Sequence, residues 1–216
     1  MAGSPLLAFT KRTPGPRPRI YLSAGIHGDE PASSLAALGL LESGVFDRRA
    51  DWFVCPLLNP LGMARGQREN AAGIDLNRDY REPQSPEARL HIAWLRRQPN
   101  FDRVFCLHED WESTGVYLYE RANPARPGLA EAVLKSMSGS LPIEPSPLID
   151  GREAVAGVLR PALNPEDMEK WPEAVYLSVK HHPSLLYTVE TPSKAPLEQR
   201  VAAHRAAVEY VLNIPA

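Results

Sequence analysis

An α/β fold with a largely parallel sheet is predicted by two features of this 216-residue chain. Short apolar runs alternate with amphipathic stretches, the pattern left by strands joined through helical crossovers. Several of those runs are apolar throughout, as strands covered on both faces are. Length adds a third condition. A chain of this size buries roughly 70% of its unfolded surface, enough for a sizeable core. No repeat or linker divides it, so 1–216 is expected to be a single domain.

The elements follow in order. Residues 19–26 form an apolar run ending near Gly25, a buried strand that delivers His27 to its C-terminal end. Residues 31–41 read as a helix with Pro31 in its first turn, and 51–58 as a second strand ending at Asn59-Pro60. Ser85-Pro86-Glu87 supplies an N-cap, an N1 proline and an acidic first turn for a helix reaching about Gln98. Its apolar stripe is Leu90, Ala93, Trp94 and Leu95. Strands are expected at 101–107, ending at His108, and at 116–119, and a helix at 129–137. Residues 139–173 are proline-rich and weakly periodic, with a strand at 154–159. A clear strand at 185–189 ends at Glu190, and a helix spans 197–212. In open α/β sheets ligands bind outside the carboxyl ends of strands. His27, His108 and Glu190 all stand at such ends.

Composition excludes several classes of function. The formal net charge of −2 gives no bulk attraction to nucleic acid or to a membrane. No run approaches 18 apolar residues, so no spanning helix is expected. Residues 1–11 lack the charged start and long apolar stretch of a signal peptide. Cys55 and Cys106 lie on separate predicted strands without metal-type spacing and read as reduced core residues. The expected setting is reducing and cytoplasmic. The 22 prolines and 14 glycines fall below the share, about 25–30%, that marks disorder; they suit well-defined loops carrying a site on a rigid sheet.

Two stretches carry chemistry. Gly25-Ile26-His27-Gly28-Asp29-Glu30 offers a histidine and a glutamate three apart, both competent zinc ligands that can converge from a loop entering a helix. The alternative is an exposed turn whose acids favour the N-terminus of the next helix. Arg68-Glu69-Asn70-Ala71-Ala72-Gly73-Ile74-Asp75-Leu76-Asn77-Arg78 offers two arginines and an asparagine, side chains that grip carboxylates and oxyanions. A catalytic zinc needs three protein ligands and an open position, and His108 is a third ligand within reach of a neighbouring strand end. His91 and His204 lie on predicted helices and read as surface or packing residues. His181 and His182 are candidates for a cleft wall.

These residues together resemble the zinc carboxypeptidases related to carboxypeptidase A. The first stretch is similar to their His-x-x-Glu motif. Residues 68–78 are similar, without a mismatch, to their Arg-x-Asn-x-x-Gly-x-Asp-Leu-Asn-Arg signature. Leu107-His108-Glu109 resembles the strand end bearing the third ligand, and Tyr187-Thr188-Val189-Glu190-Thr191-Pro192 the strand bearing the catalytic glutamate. The resemblance implies a mixed, mainly parallel sheet of about eight strands with helices on both faces. It implies one Zn2+ per chain, held by His27, Glu30 and His108, with Glu190 as general base and acid. Arg68 then stabilises the oxyanion, Asn77 and Arg78 bind the substrate carboxylate, and Asp75 hydrogen-bonds the first zinc histidine.

The implied activity is hydrolysis of an amide bond beside a free carboxylate, on a small peptide. The compact form also resembles murein peptide amidases and the succinylglutamate desuccinylases and aspartoacylases, so an N-acyl amino acid is the alternative substrate. A third reading is an inactive carboxylate-binding module, which a missing ligand or base would favour; none is missing. Tyr176 is the candidate for the family's substrate-capping tyrosine, against the alternative of a half-buried strand residue. Glu109, Asp110 and Glu112 form an acidic cluster, one member of which is expected to meet a substrate ammonium, the alternative being a solvated turn. Oligomeric state is not encoded in any recognisable motif.

Overall fold

The computed structural model describes residues 4–122, 128–162 and 164–214. In chain order the elements are β1 (Phe9–Lys11), β2 (Arg19–Ser23), α1 (Pro31–Glu42), β3 (Asp51–Cys55), α2 (Pro60–Arg65), α3 (Pro86–Leu95), β4 (Arg103–Asp110), β5 (Tyr117–Ala122), α4 (Ala130–Met137), β6 (Leu148–Ile149), β7 (Arg152–Glu153), β8 (Val158–Leu159), α5 (Glu173–His181), β9 (Leu185–Pro192) and α6 (Leu197–Leu212). Seven strands form one sheet in the order β1-β3-β2-β4-β9-β5-β8, and β6 and β7 form a separate hairpin. The central strands β3, β2, β4 and β9 run parallel, while β1 and β5 pair antiparallel with β3 and β9. The sheet is mixed and mainly parallel as expected, with seven strands among the described residues instead of about eight.

Both faces are covered, which explains why the strands read as continuous apolar runs. Ile20, Leu22, Trp52, Val54, Phe105 and Leu107 pack in one cluster with residues of α1, α4 and α6. Their neighbours Tyr21, Phe53, Val104 and Cys106 point the other way, into a cluster with Ile92 and Leu95 of α3 and Tyr176 and Leu177 of α5. Strand alternation therefore assigns every side chain to a face. By the same alternation His108 and Glu190 belong to the α3 and α5 face.

Local signals set the ends. Ser85 Oγ accepts the Ala88 N–H at 3.1 Å to start α3, and Asn59 Oδ1 accepts the Gly62 N–H at 2.9 Å to start α2, an unexpected helix. The strand expected at 154–159 is broken because Ala156 and Gly157 both have positive φ, 49° and 76°. Val155 and Val158 exchange two backbone hydrogen bonds of 3.0 Å across them, a tight turn. Conversely, β4 and β9 run further than expected. Their parallel register continues from Arg103↔Leu185 to Asp110↔Pro192, so His108 and Glu190 sit just inside the strand ends. No helix among the described residues is long and apolar enough to cross a membrane. Both cysteines are free and buried.

Candidate active site

Three segments meet beyond the C-terminal ends of β2 and β4. After β2 the chain turns at Gly25, whose φ of 61° suits glycine, and presents His27. Gly28 lets this loop press against α2: a Cβ there would lie 2.0 Å from the Gly62 carbonyl carbon and 2.2 Å from the Met63 nitrogen. The glycines around His27 are thus geometric requirements of the loop. Glu30 follows at the entry to α1, and His108 arrives from β4. The three side chains are 2%, 4% and 3% exposed, and one ligand atom from each lies within 4.8 Å of the others. His27 Nδ1 is 2.5 Å from Glu30 Oε1 and His108 Nδ1 is 3.1 Å from Glu30 Oε2.

Residues 68–78 supply the surroundings. Asn70 folds the loop on itself, its Oδ1 accepting the Ala72 and Ile74 N–H groups at 2.9 and 3.0 Å. Asp75 is then the hub. Its Oδ1 faces His27 Nε2 at 3.2 Å and accepts the Asn77 N–H at 2.9 Å. Its Oδ2 accepts Arg68 Nε and Nη2 at 3.2 and 3.1 Å. One carboxylate orients the imidazole of His27 and holds the fork of Arg68. Arg68 keeps Nη1 turned toward the cluster, 3.7 Å from Glu30 Oε1. Arg78 is exposed, and its Nη1 donates to the Asn77 carbonyl at 2.8 Å.

Electrostatics bind the cluster together. Burial pulls the His27 pKa down, but the Glu30 charge and the hydrogen bonds to Asp75 and Glu30 outweigh it and raise the pKa to about 9. Burial pushes Glu30 up, and the two histidines overcome it, bringing it down to about 2. His108 is likewise raised, burial being outweighed by Glu30. Asp75 is held well below the usual carboxylate range by His27 and Arg68, against its own burial. Two imidazole nitrogens and a carboxylate, buried and aimed at one point, form a donor set that fits a divalent metal such as zinc.

Strand pairing builds a row beside this cluster. Glu190 of β9 is in register with His108 on one side and with Tyr117 of β5 on the other. Glu190 is partly exposed to the cleft. Burial, reinforced by Glu30 and opposed by His108, raises its pKa well above the usual carboxylate range. The next row pairs Thr188 with Tyr119. These rows floor a cleft of about 630 Å³, which His27, Arg68, Asn77 and Arg78 also line.

The model of the succinylglutamate desuccinylase/aspartoacylase catalytic domain matches residues 16–140, more than half of the chain. The chain belongs to this family. It is 33% identical to cytosolic carboxypeptidase 1 of Danio rerio over 122 residues, 48% of this chain, and covers 10% of that longer protein. Among solved structures, a protein assigned to the metallopeptidases from Shewanella amazonensis SB2B is 26% identical. Its TM-score is 0.82, over 97% of this chain and 82% of that one. A metallo-carboxypeptidase from Burkholderia cenocepacia, 20% identical, shares the fold at a TM-score of 0.68, over 97% of this chain and 61% of that one. The family member described here thus has the architecture of metallopeptidase-type hydrolases, and its His27, Glu30 and His108 form a cluster able to hold a metal.

One expectation fails on packing. Tyr176 is not at the cleft: it lies on helix α5, is 4% exposed, and its ring packs 5.7 Å from Tyr80 in the core. Pro172 and the acidic Glu173 start a helix where the apolar triplet Val175-Tyr176-Leu177 also suited a strand. The tyrosines at the cleft are Tyr117 and Tyr119, whose hydroxyls donate to Asp110 and Asp150 at 3.0 and 2.5 Å. The acidic cluster also divides. Glu109 is 5% exposed, its carboxylate paired with Arg200 and accepting the Ala32 N–H at 2.6 Å. Among the described residues Asp110 and Glu112 line the cleft without a cation partner, whereas Glu109 is committed to Arg200. His181 is buried, stacked 4.7 Å from Phe101. His91 and His204, 4% and 0% exposed, pack inside.

Sequence reading passed over Glu173. It is 1% exposed, and the pairing Pro172-Glu173 at a helix start gave only a capping signal. Its role depends on which strands lie beneath it.

Proposed function

We propose that this family member is a zinc-dependent hydrolase with one Zn2+ per chain, cleaving an amide bond next to a free carboxylate in a small peptide, in the manner of metallocarboxypeptidases. The observation that carries the proposal is the adjacency of the His27, Glu30 and His108 donor set to Glu190 across one register row, with Arg68 fixed by Asp75 beside it. A zinc ion held by His27, Glu30 and His108 would supply a Lewis acid for the scissile carbonyl and bring the pKa of water toward neutral.

The other tasks belong to the chain's own side chains. Glu190 takes the proton from the attacking water and delivers it to the leaving amine. Arg68 is oriented before reaction, so its guanidinium meets charge that develops only in the transition state. Asn77 and Arg78 grip the substrate carboxylate, the arginine having a planar fork that a lysine lacks. Asp75 keeps His27 in the tautomer that leaves Nδ1 free for the metal.

Removal of an acyl group from an N-acyl amino acid is the second reading, favoured by the family match over residues 16–140. Both use the same residues and differ in the substrate. The test joins elemental analysis with a panel of di- and tripeptides and N-acyl amino acids. About one zinc per chain in the wild type, lost in His108→Ala, is expected. Glu190→Gln should keep the metal and lose kcat by about 10²–10⁴. A wild type that takes up no zinc when offered it would overturn the hydrolase reading and favour an inactive carboxylate-binding module.

A further inference from the structure

Glu173 is a buried carboxylate that none of the steps above uses. It is the first residue of α5, and two hydroxyl donors converge on it from the sheet. Tyr21 Oη donates to Oε1 at 2.7 Å and Ser23 Oγ to Oε2 at 2.8 Å, both from β2. Behind Tyr21 stands His91, its Nε2 2.9 Å from the Tyr21 hydroxyl and its Nδ1 2.6 Å from the Tyr80 hydroxyl. Every polar atom of this chain of contacts has a partner, so the arrangement has one low-energy geometry. An apolar residue at position 173 would pack in the same place at lower desolvation cost. The carboxylate therefore asks for a reason.

The backbone of the same residue provides one. The Glu173 N–H donates to Asn77 Oδ1 at 2.9 Å. A main-chain N–H can meet only an acceptor, so this bond settles which end of the Asn77 amide is oxygen. With Oδ1 turned to the helix, Nδ2 and its two hydrogens are left for the cleft that Asn77 lines. A carboxylate ligand needs donors there. A flipped amide would set NH₂ against N–H and offer an oxygen to an anion.

We propose that Glu173 is a positioning residue for the carboxylate clamp: it pins the first turn of α5 to β2, and the N–H so fixed holds Asn77 with its amide nitrogen facing the substrate carboxylate. This rests on the hydrolase reading, in which Asn77 is part of the clamp.

The test uses the zinc-loaded full chain and the best substrate of the panel. Glu173→Leu should raise KM about tenfold with kcat and zinc content unchanged. Glu173→Gln should restore most of the wild-type KM, because an oxygen still accepts from Tyr21. In an Asn77→Ala background Glu173→Leu should add nothing further to KM. An unchanged KM in Glu173→Leu overturns the proposal, and so does a full tenfold effect persisting in the Asn77→Ala background. If Glu173→Leu does not fold, Tyr21→Phe removes one of the two donors, and a KM identical to wild type there overturns it equally.

The ¹H–¹⁵N signals of the Asn77 side-chain amide, identified by their loss in Asn77→Ala, give a readout independent of turnover. They should shift in Glu173→Leu, and unchanged signals refute the link even if no substrate is found. A wild type that turns over nothing, with those signals shifted, would instead count against the hydrolase reading alone.

Discussion

Zinc affinity should rise steeply with pH between 6.5 and 9, because in the metal-free protein a proton occupies the position the metal needs. His27 has its pKa raised to about 9 by Glu30 and Asp75 against burial, and ligation requires the neutral ring. At pH 7 that proton lies two units below its pKa. Displacing it costs about 2.7 kcal/mol, or roughly a hundredfold in affinity relative to pH 9 and above. His108 is raised as well and steepens the dependence.

The sign for folding runs the same way. His27 stabilises the metal-free fold fully below its ordinary value of 6.5, and that contribution is lost as pH rises through about 9. Glu30, lowered to about 2, contributes above its ordinary 4.5 and loses that contribution as pH falls through about 2. The assay is competition for zinc against a chromophoric chelator at half-unit intervals from pH 6.5 to 8.5, with Tm of the metal-free protein measured alongside. The expected slope is at least tenfold in affinity per pH unit, with Tm falling over the same interval. A pH-independent affinity, after correction for the chelator, would refute the raised pKa of His27 and the proton–metal competition drawn from it.

Three further outcomes are expected. Arg68→Lys should lower kcat by about 10²–10³ while leaving zinc content intact, since a lysine cannot keep two bonds to Asp75 and still offer a donor to the oxyanion; steady-state kinetics on metal-checked protein decides it. Gly28→Ala should destabilise by about 1–3 kcal/mol in urea unfolding, because its Cβ would overlap the Gly62 and Met63 backbone, and an unchanged midpoint would show that the loop can yield. Arg200→Ala should cost about 3–5 kcal/mol, leaving the Glu109 carboxylate buried with the Ala32 N–H as its remaining partner. A loss under 1 kcal/mol would mean that water reaches Glu109.

What sequence could determine was whatever depends on neighbours along the chain. Continuous apolar runs announced strands buried on both faces, Ser85-Pro86-Glu87 announced the start of α3, and the resemblance of residues 25–30 and 68–78 to carboxypeptidase motifs singled out His27, Glu30 and Arg68 as candidates, which the fold brings together. Tertiary structure decided what those donors face. The register of β4, β9 and β5 sets His108, Glu190 and Tyr117 in one row. The same register, by extending β4, turns Glu109 to the opposite face and into contact with Arg200 of α6. Tyr176 shows the limit well: its neighbours allow strand or helix, and only packing of α5 on the sheet sent its ring to Tyr80 instead of the cleft. Glu173 shows it too, since a carboxylate acquires a role from the hydroxyls beneath it. Periodicity and capping are set within a few residues, whereas register and burial are set by contacts between segments far apart in the chain, and a carboxylate, imidazole or phenol takes its charge and its task from those contacts.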